Sequence, residues 1–227
     1  MTNASWDKAV HAFSPARHAR LPDCVVAWTQ TDFDIAQTLA LRVRLLERSQ
    51  AIRIWPDADE RLPRLVKAGL IEQFNINAHP PLQPHQPLAS WVPDQPEPDF
   101  HAISTRARTR WNQAAVNTSV FVASKRAANL FGGDAYGLPP VEHRDHDLLL
   151  SDAYVFYRNQ RPDVAMRWVG EDFFPKAGFR IKDPDAFLVD DDGQFRCVIE
   201  SAGRYSTQQV QSFHDYCVIH NLPYELW

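Results

Sequence analysis

The stretch that decides the fold is Lys182-Asp183-Pro184-Asp185-Ala186-Phe187-Leu188, followed by the turn Asp190-Asp191-Asp192-Gly193 and then by Phe195-Arg196-Cys197-Val198-Ile199-Glu200. Apolar runs on both sides of a short turn that ends in glycine predict a β-hairpin. Asp185 begins the first strand and Glu200 ends the second. Because the strands of a hairpin are antiparallel, we expect these two carboxylates to lie near each other at one end of a sheet.

Two carboxylates in this arrangement are typical ligands of a hard cation such as Mg²⁺. A bound Mg²⁺ would activate a water molecule for phosphodiester hydrolysis. Glu171 is a third acidic candidate, so the expected metal ligands are Asp185, Glu200 and Glu171. A lysine two residues after the glutamate would share its face of the strand and neutralise the transition state, but that position is Ala202. Lys182 is the nearest lysine in sequence, and the expected catalytic set is therefore Asp185, Glu200 and Lys182.

Length and composition allow one large domain or two small ones. The chain has 227 residues, of which 44% are hydrophobic and 23% charged, as in ordinary globular proteins. No apolar run approaches the roughly 18 residues that span a bilayer, and residues 1–20 lack the apolar core of a signal peptide. We therefore expect a cytoplasmic protein with no membrane partner. Its net charge of −4 does not by itself indicate a nucleic-acid ligand.

Prolines punctuate the middle of the chain. Seven of them fall between residues 80 and 98, a stretch that is poorly suited to a helix or to the interior of a sheet. We place a domain boundary near residue 98, which predicts an N-terminal domain of residues 1–98 and a second domain of residues 99–227.

The first domain has the order of a winged helix-turn-helix. A helix or a pair of helices is expected from Asp32 to Ser49, and another from Asp57 to Ala68, ended by Gly69. Residues 70–74 are expected to form a strand, paired with a second strand at residues 88–92. In this interpretation the helix of residues 57–68 is the DNA-recognition helix.

Basic residues recur along that helix. Arg61, Arg64 and Lys67 follow i, i+3, i+6 spacing, and Arg53 precedes them. Such side chains contact phosphates or the acceptor edge of guanine in duplex DNA. The alternative is an ordinary solvated helix face, because two acidic residues lie beside Arg61.

The second domain is expected to be an α/β unit with helices flanking a mixed sheet. A strand is predicted at residues 164–169, before the hairpin, and a helix and a strand follow it. His143, Asp145, His146 and Asp147 form a polar cluster that could supply a general base or a metal ligand. Their alternative role is an acidic helix start that complements the helix dipole.

Pro184-Asp185 and Glu200 resemble the motif of PD-(D/E)XK, or restriction-endonuclease-like, domains. With the helical first half and His146-Asp147-Leu148-Leu149, residues 30–227 resemble the plasmid replication-relaxation family. The resemblance implies an α+β protein in which a winged helix precedes a nuclease-like domain, associated with the DNA of a mobile element or its host.

We therefore expect a protein that binds double-stranded DNA and acts in replication or transcription control, with a degenerate nuclease-like domain. One alternative is an active Mg²⁺-dependent endonuclease that uses Asp185 and Glu200. Another is a protein-interaction module without DNA binding, working as a homodimer or with a protein partner.

Overall fold

The computed structural model describes residues 28–173 and 184–227, except for the side chain of Asp172. This part contains eight α-helices and eight strands in two sheets, which confirms a mixed α and β fold. The helices are α1 (Gln30–Leu41), α2 (Arg48–Ile54), α3 (Ala58–Lys67), α4 (Phe100–Thr109), α5 (Lys125–Phe131), α6 (Val141–Gln160), α7 (Pro162–Ala165) and α8 (Thr207–Ile219). The strands are β1 (Leu46–Glu47), β2 (Ile71–Ala78), β3 (Ala89–Trp91), β4 (Val116–Ala123), β5 (Trp168–Gly170), β6 (Ala186–Val189), β7 (Phe195–Glu200) and β8 (Tyr224–Leu226). None of the described helices is both long enough and apolar enough to cross a membrane.

Local capping signals fix several helix ends. The Ser124 side chain accepts a hydrogen bond from the Ala127 backbone at the start of α5. Gly132 ends that helix in the left-handed conformation, with φ of 78°. Thr29 with Asp32, and Ser206 with Gln209, form capping boxes at the starts of α1 and α8.

The first sheet has the antiparallel order β1-β4-β2. The β2–β4 ladder runs from the pair Ile71–Ala123 to the pair Ala78–Val116. The expected pairing of residues 70–74 with residues 88–92 is therefore wrong. The proline-rich stretch that follows β2 has few backbone donors for a hairpin, whereas β4 offers eight residues for the ladder.

Residues 79–115 leave the first sheet and return to it through β4. On the way they form α4 and β3, and β3 is an edge strand of the second sheet, paired with β8. As a result, β3 precedes residue 98 but lies in the second sheet, whereas β4 follows residue 98 but lies in the first. The chain thus interleaves the two sheets across the expected boundary.

The second sheet has the order β3-β8-β7-β6-β5. The β7–β8 pair is parallel and the other pairs are antiparallel, which confirms a mixed sheet. The predicted hairpin is present as β6 and β7, with Ala186 opposite Ile199. The strand expected at residues 164–169 is wrong at its beginning, because Pro162 starts the short helix α7 and the strand begins only at Trp168.

The two faces of the hairpin pack in different apolar clusters. Phe187 and Val198 pack with residues of α4 and α8. Ala186, Leu188 and Ile199 belong to a larger cluster that also contains residues of α1, α3 and α6. Since that larger cluster includes residues of both sheets, one core holds the two sheets together.

Candidate functional site

The two carboxylates of the hairpin face each other across the ladder. Asp185 directly precedes Ala186, and Glu200 directly follows Ile199, the partner of Ala186. Opposite residues of an antiparallel pair point to the same face of a sheet. Asp185 is 6% exposed and Glu200 is fully buried.

Asp185 is bonded to two protein donors. Its Oδ2 accepts hydrogen bonds from the Ser201 backbone N–H, at 2.7 Å, and from His146 Nε2, at 3.0 Å. The other ring nitrogen of His146 lies 3.1 Å from Asp147 Oδ1. The Ser201 hydroxyl also donates to the backbone carbonyl of His146, at 3.3 Å. These bonds tie the first turns of α6 to the end of β7.

His146 is an imidazolium held between two carboxylates. Burial alone would lower its pKa, but the charge of Asp185 and the hydrogen bonds to Asp147 and Asp185 outweigh that effect and raise the pKa to about 11. Both ring nitrogens therefore donate at neutral pH. Asp147 Oδ2 is buried, and within the described residues it has no hydrogen-bond partner. The local charge is thus two carboxylates around one internal cation, with Glu200 nearby.

Glu200 is held by Tyr205, whose hydroxyl donates to Glu200 Oε1. Burial raises the pKa of the Tyr205 phenol, and the neighbouring charge of Glu200 raises it further. The phenol therefore stays protonated and remains a hydrogen-bond donor. Tyr205 and His146 are the partners of the two carboxylates that a reading of the hairpin alone misses.

At neither of the two positions considered for the catalytic lysine, 202 and 182, does the structure describe a lysine. Ala202 is fully buried, in the same apolar cluster as Phe187, Val198 and Val210. Lys182, the expected catalytic lysine, lies outside the described residues.

Glu171 lies beside Asp185 through its backbone. Its N–H donates to the Asp185 carbonyl at 3.0 Å, whereas its carboxylate pairs with Arg44 at 2.5 Å. Both acidic residues line the same small surface cleft. Within the described residues, no group of three or more His, Cys, Asp or Glu side chains is arranged to hold a metal ion. As the side chains stand, Asp185, Glu200 and Glu171 each bond a protein donor.

The four basic residues expected to contact DNA fall into two groups. Arg61 is half-buried and bonds Asp57 at 3.1 Å and Asp32 at 3.4 Å. Arg53 lies 3.3 Å from the buried carboxylate of Asp152. The remaining two, Arg64 and Lys67, are exposed on α3.

Two further basic side chains lie next to the end of α3. Arg126 donates to the carbonyl of Ala68, at 2.9 Å, and Lys125 precedes it at the start of α5; both are exposed. The Ser124 hydroxyl that caps α5 also donates to the carbonyl of Gly69, at 2.7 Å. We call Arg64, Lys67, Lys125 and Arg126 the basic surface. Sequence reasoning missed its second half because α3 and α5 are far apart in the chain.

Comparison with protein-family models, with curated proteins and with solved structures finds no match for this chain.

Proposed function

We propose that α1, α2, α3 and the first sheet form a winged helix-turn-helix that binds double-stranded DNA. The observation that carries the proposal is topological. The chain forms a helix, a short strand, two helices and β2, and it returns as β4 only after β3 and α4. The strands of the first sheet lie in the order β1-β4-β2. This strand order supports the proposal because winged-helix domains share it, here with β3 and α4 inserted between the two wing strands; in such domains the third helix enters the major groove.

The basic surface supplies the electrostatics for this role. Its four cations are exposed at the end of α3 and the start of α5. Lysine and arginine in such positions neutralise phosphates, and this neutralisation accounts for most sequence-independent affinity for DNA. Arg53 and Arg61 have a different role in the proposal: they hold α2 and α3 in place through Asp152, Asp57 and Asp32.

We propose further that the second sheet is a restriction-endonuclease-like domain that has kept its hairpin but not its catalytic set. Opposed positions for Asp185 and Glu200 support the likeness. Bonds from His146 and Tyr205, and the apolar surroundings of Ala202, support the loss of cleavage. Together with the resemblance to the replication-relaxation family, this favours a protein that controls replication or transcription of a plasmid or other mobile element.

Binding of a labelled duplex of about 25 base pairs, followed by fluorescence anisotropy at low salt, tests the first proposal. We expect Arg64→Gln/Lys67→Gln to weaken binding by about tenfold or more, since each lost phosphate contact removes a favourable ionic interaction. Arg167→Gln/Arg196→Gln is the matched control, because it removes the same charge from exposed positions near the turn of the second sheet. Equal binding by the Arg64→Gln/Lys67→Gln variant and the wild type would show that the basic surface is not the DNA contact. No affinity at low salt would favour a protein-interaction module instead.

The Mg²⁺-dependent endonuclease remains the second candidate because of the opposed carboxylates. Incubation of supercoiled plasmid with the wild type and Mg²⁺ or Mn²⁺ tests it directly. We expect no nicking above the level of a Glu200→Gln variant. Nicking that EDTA and Glu200→Gln both abolish would establish cleavage and overturn the degenerate assignment.

A further inference from the structure

A second cluster of charged side chains lies at the far end of β2. Its members come from four segments: one follows β2, two follow α4, one lies in α6 and one follows β7. They are His79, Arg110, Trp111, Asp145 and Arg204, and we call them the Trp111 cluster. Since β2 starts directly after α3 and has eight residues, the cluster lies about 25 Å along the strand from the basic surface.

Asp145 orients His79. The Asp145 carboxylate accepts from the backbone N–H of His79, at 2.8 Å, and lies 2.6 Å from its Nδ1. The two contacts use both carboxylate oxygens. Nε2 is left on the other side of the ring, 3.3 Å from a terminal nitrogen of Arg204. Because a guanidinium only donates, Nε2 acts as the acceptor in that contact.

The Trp111 ring contacts two guanidinium groups. The central guanidinium carbons of Arg110 and Arg204 each lie 5.7 Å from the centre of its ring, within the range of a cation–π contact. The indole N–H donates to the Gly203 carbonyl, at 3.0 Å, which anchors the ring beside Arg204. His79 packs against the ring edge-on, with 5.3 Å between centres.

The cluster carries more positive than negative charge. The Arg110 guanidinium donates to the backbone oxygens of Trp227, at 3.1 Å, and Gly203, at 3.4 Å, and within the described residues its Nε is buried without a hydrogen-bond partner. Burial lowers the pKa of Arg110 to about 10, and the charge of Asp152 offsets that effect only in part. The one carboxylate of the cluster, Asp145, is engaged by His79. Withdrawing a charged group from water is costly, and an anion beside the guanidinium would relieve part of that cost.

We propose that the Trp111 cluster binds a phosphate group. Arg204 is exposed and donates one hydrogen bond to His79, so its other guanidinium N–H groups can face a phosphate. A phosphate oxygen that enters beside His79 Nε2 accepts a charge-assisted hydrogen bond from Arg204 in place of the present contact between the two side chains. Arg110 contributes its charge from behind Trp111. The ligand is the phosphate of a nucleic acid or of a phosphorylated small molecule, and the site is independent of the basic surface.

Calorimetric titration of the full chain with inorganic phosphate and adenosine monophosphate, and anisotropy with a labelled single-stranded oligonucleotide, test the proposal at low salt. We expect Arg204→Gln to weaken binding of the phosphate-bearing probes by about tenfold or more, the usual effect of losing a charge-assisted bond, and His79→Gln, which removes the ring beside Arg204, to weaken it less. Arg196→Gln, which removes an exposed arginine at the other end of β7, is expected to change binding less than about twofold. Thermal unfolding of each variant checks that the fold is retained.

The pattern across probes identifies the source of the phosphate. A loss confined to the oligonucleotide assigns the site to nucleic acid, and an equal loss for the monophosphate assigns it to a small phosphate ester. No binding of any probe by the wild type, or the same loss in Arg196→Gln, would overturn the proposal. Duplex binding by Arg64→Gln/Lys67→Gln is measured separately, so that a failure of one proposal is distinguishable from a failure of the other.

Discussion

Removing the imidazole of His146 should destabilise the protein more than any other change at a partly exposed position of the hairpin site. His146 bonds Asp185 at 3.0 Å and Asp147 at 3.1 Å, and both carboxylates are more than nine-tenths buried. His146→Ala leaves Asp147 with no described side-chain partner, and leaves Asp185 with the Ser201 N–H. Removal of one partner from a buried ion pair costs about 3–5 kcal/mol. The remaining backbone bond to Asp185 places the expected loss near the lower end, about 3 kcal/mol.

The pH dependence of this loss has a definite sign. The pKa of His146 rises on folding from 6.5 to about 11, so the folded protein keeps a proton that the unfolded chain releases as the pH rises above 6.5. The stabilisation is complete below pH 6.5 and declines as the pH rises towards 11. Between those limits the free energy of unfolding falls as the pH rises, because the folded protein binds this proton more tightly than the unfolded chain does. His146→Ala removes that slope, so the two proteins should converge in stability at high pH.

Urea denaturation at pH 6, 7.5 and 9, followed by far-UV circular dichroism, measures both effects. His143→Ala is the matched control: it removes an exposed histidine from the same helix, and we expect a change within about 0.5 kcal/mol. His146→Ala/Asp147→Asn should regain part of the loss, because it removes one of the stranded charges. A loss below about 1 kcal/mol at pH 6, or the same pH slope in wild type and His146→Ala, would refute the ion-pair account.

Two further outcomes follow from the geometry. Ala202→Lys introduces the lysine of the nuclease motif. Because position 202 is enclosed by apolar side chains, this variant should have a melting temperature lower by at least several degrees and should not cleave plasmid DNA. A variant that is stable and cleaves plasmid DNA would contradict this prediction. The affinity for duplex DNA should fall as the salt concentration rises. Arg64→Gln/Lys67→Gln should reduce the magnitude of the slope of log K against log salt by about 2, as measured by anisotropy between 50 and 200 mM salt. An unchanged slope would mean that neither side chain contacts a phosphate.

The parts of the fold that the sequence predicts are those with local signals. Ser124 and Gly132 mark the ends of α5, Gly69 follows α3, and the acidic turn with Gly193 marks the β6–β7 hairpin. Each signal depends on hydrogen bonds or φ values within a few residues of the chain. Such signals survive in any tertiary context that does not oppose them.

The pairing of β2 could not be predicted in the same way. A turn-rich stretch directly after a strand favours the next apolar run as its partner, and β3 is that run. The actual partner, β4, is reached only after residues 79–115, and the choice depends on how the chain covers both sheets. The same limit applies to His146, which meets Asp185 across 39 residues of sequence. The sequence shows that His146 lies in a polar helix start, but it does not show that Asp185 is the second carboxylate partner of His146.

The hairpin register and the chemistry of its carboxylates are separable properties of the sequence. Register follows from the alternation of Ala186, Leu188 and Ile199 towards the main core, and it places Asp185 opposite Glu200 whatever their partners. Buried carboxylates then need donors and compensating charge, which an exchangeable metal ion or fixed protein groups can supply. Here the fixed groups are the His146 imidazolium and the Tyr205 hydroxyl. Both ring nitrogens of the His146 imidazolium are hydrogen-bonded to carboxylates, so the ring cannot leave the site as a metal ion can, and it does not activate a water molecule. The bonded carboxylates instead stabilise the junction of α6 and β7. The opposed carboxylates therefore do not by themselves support cleavage.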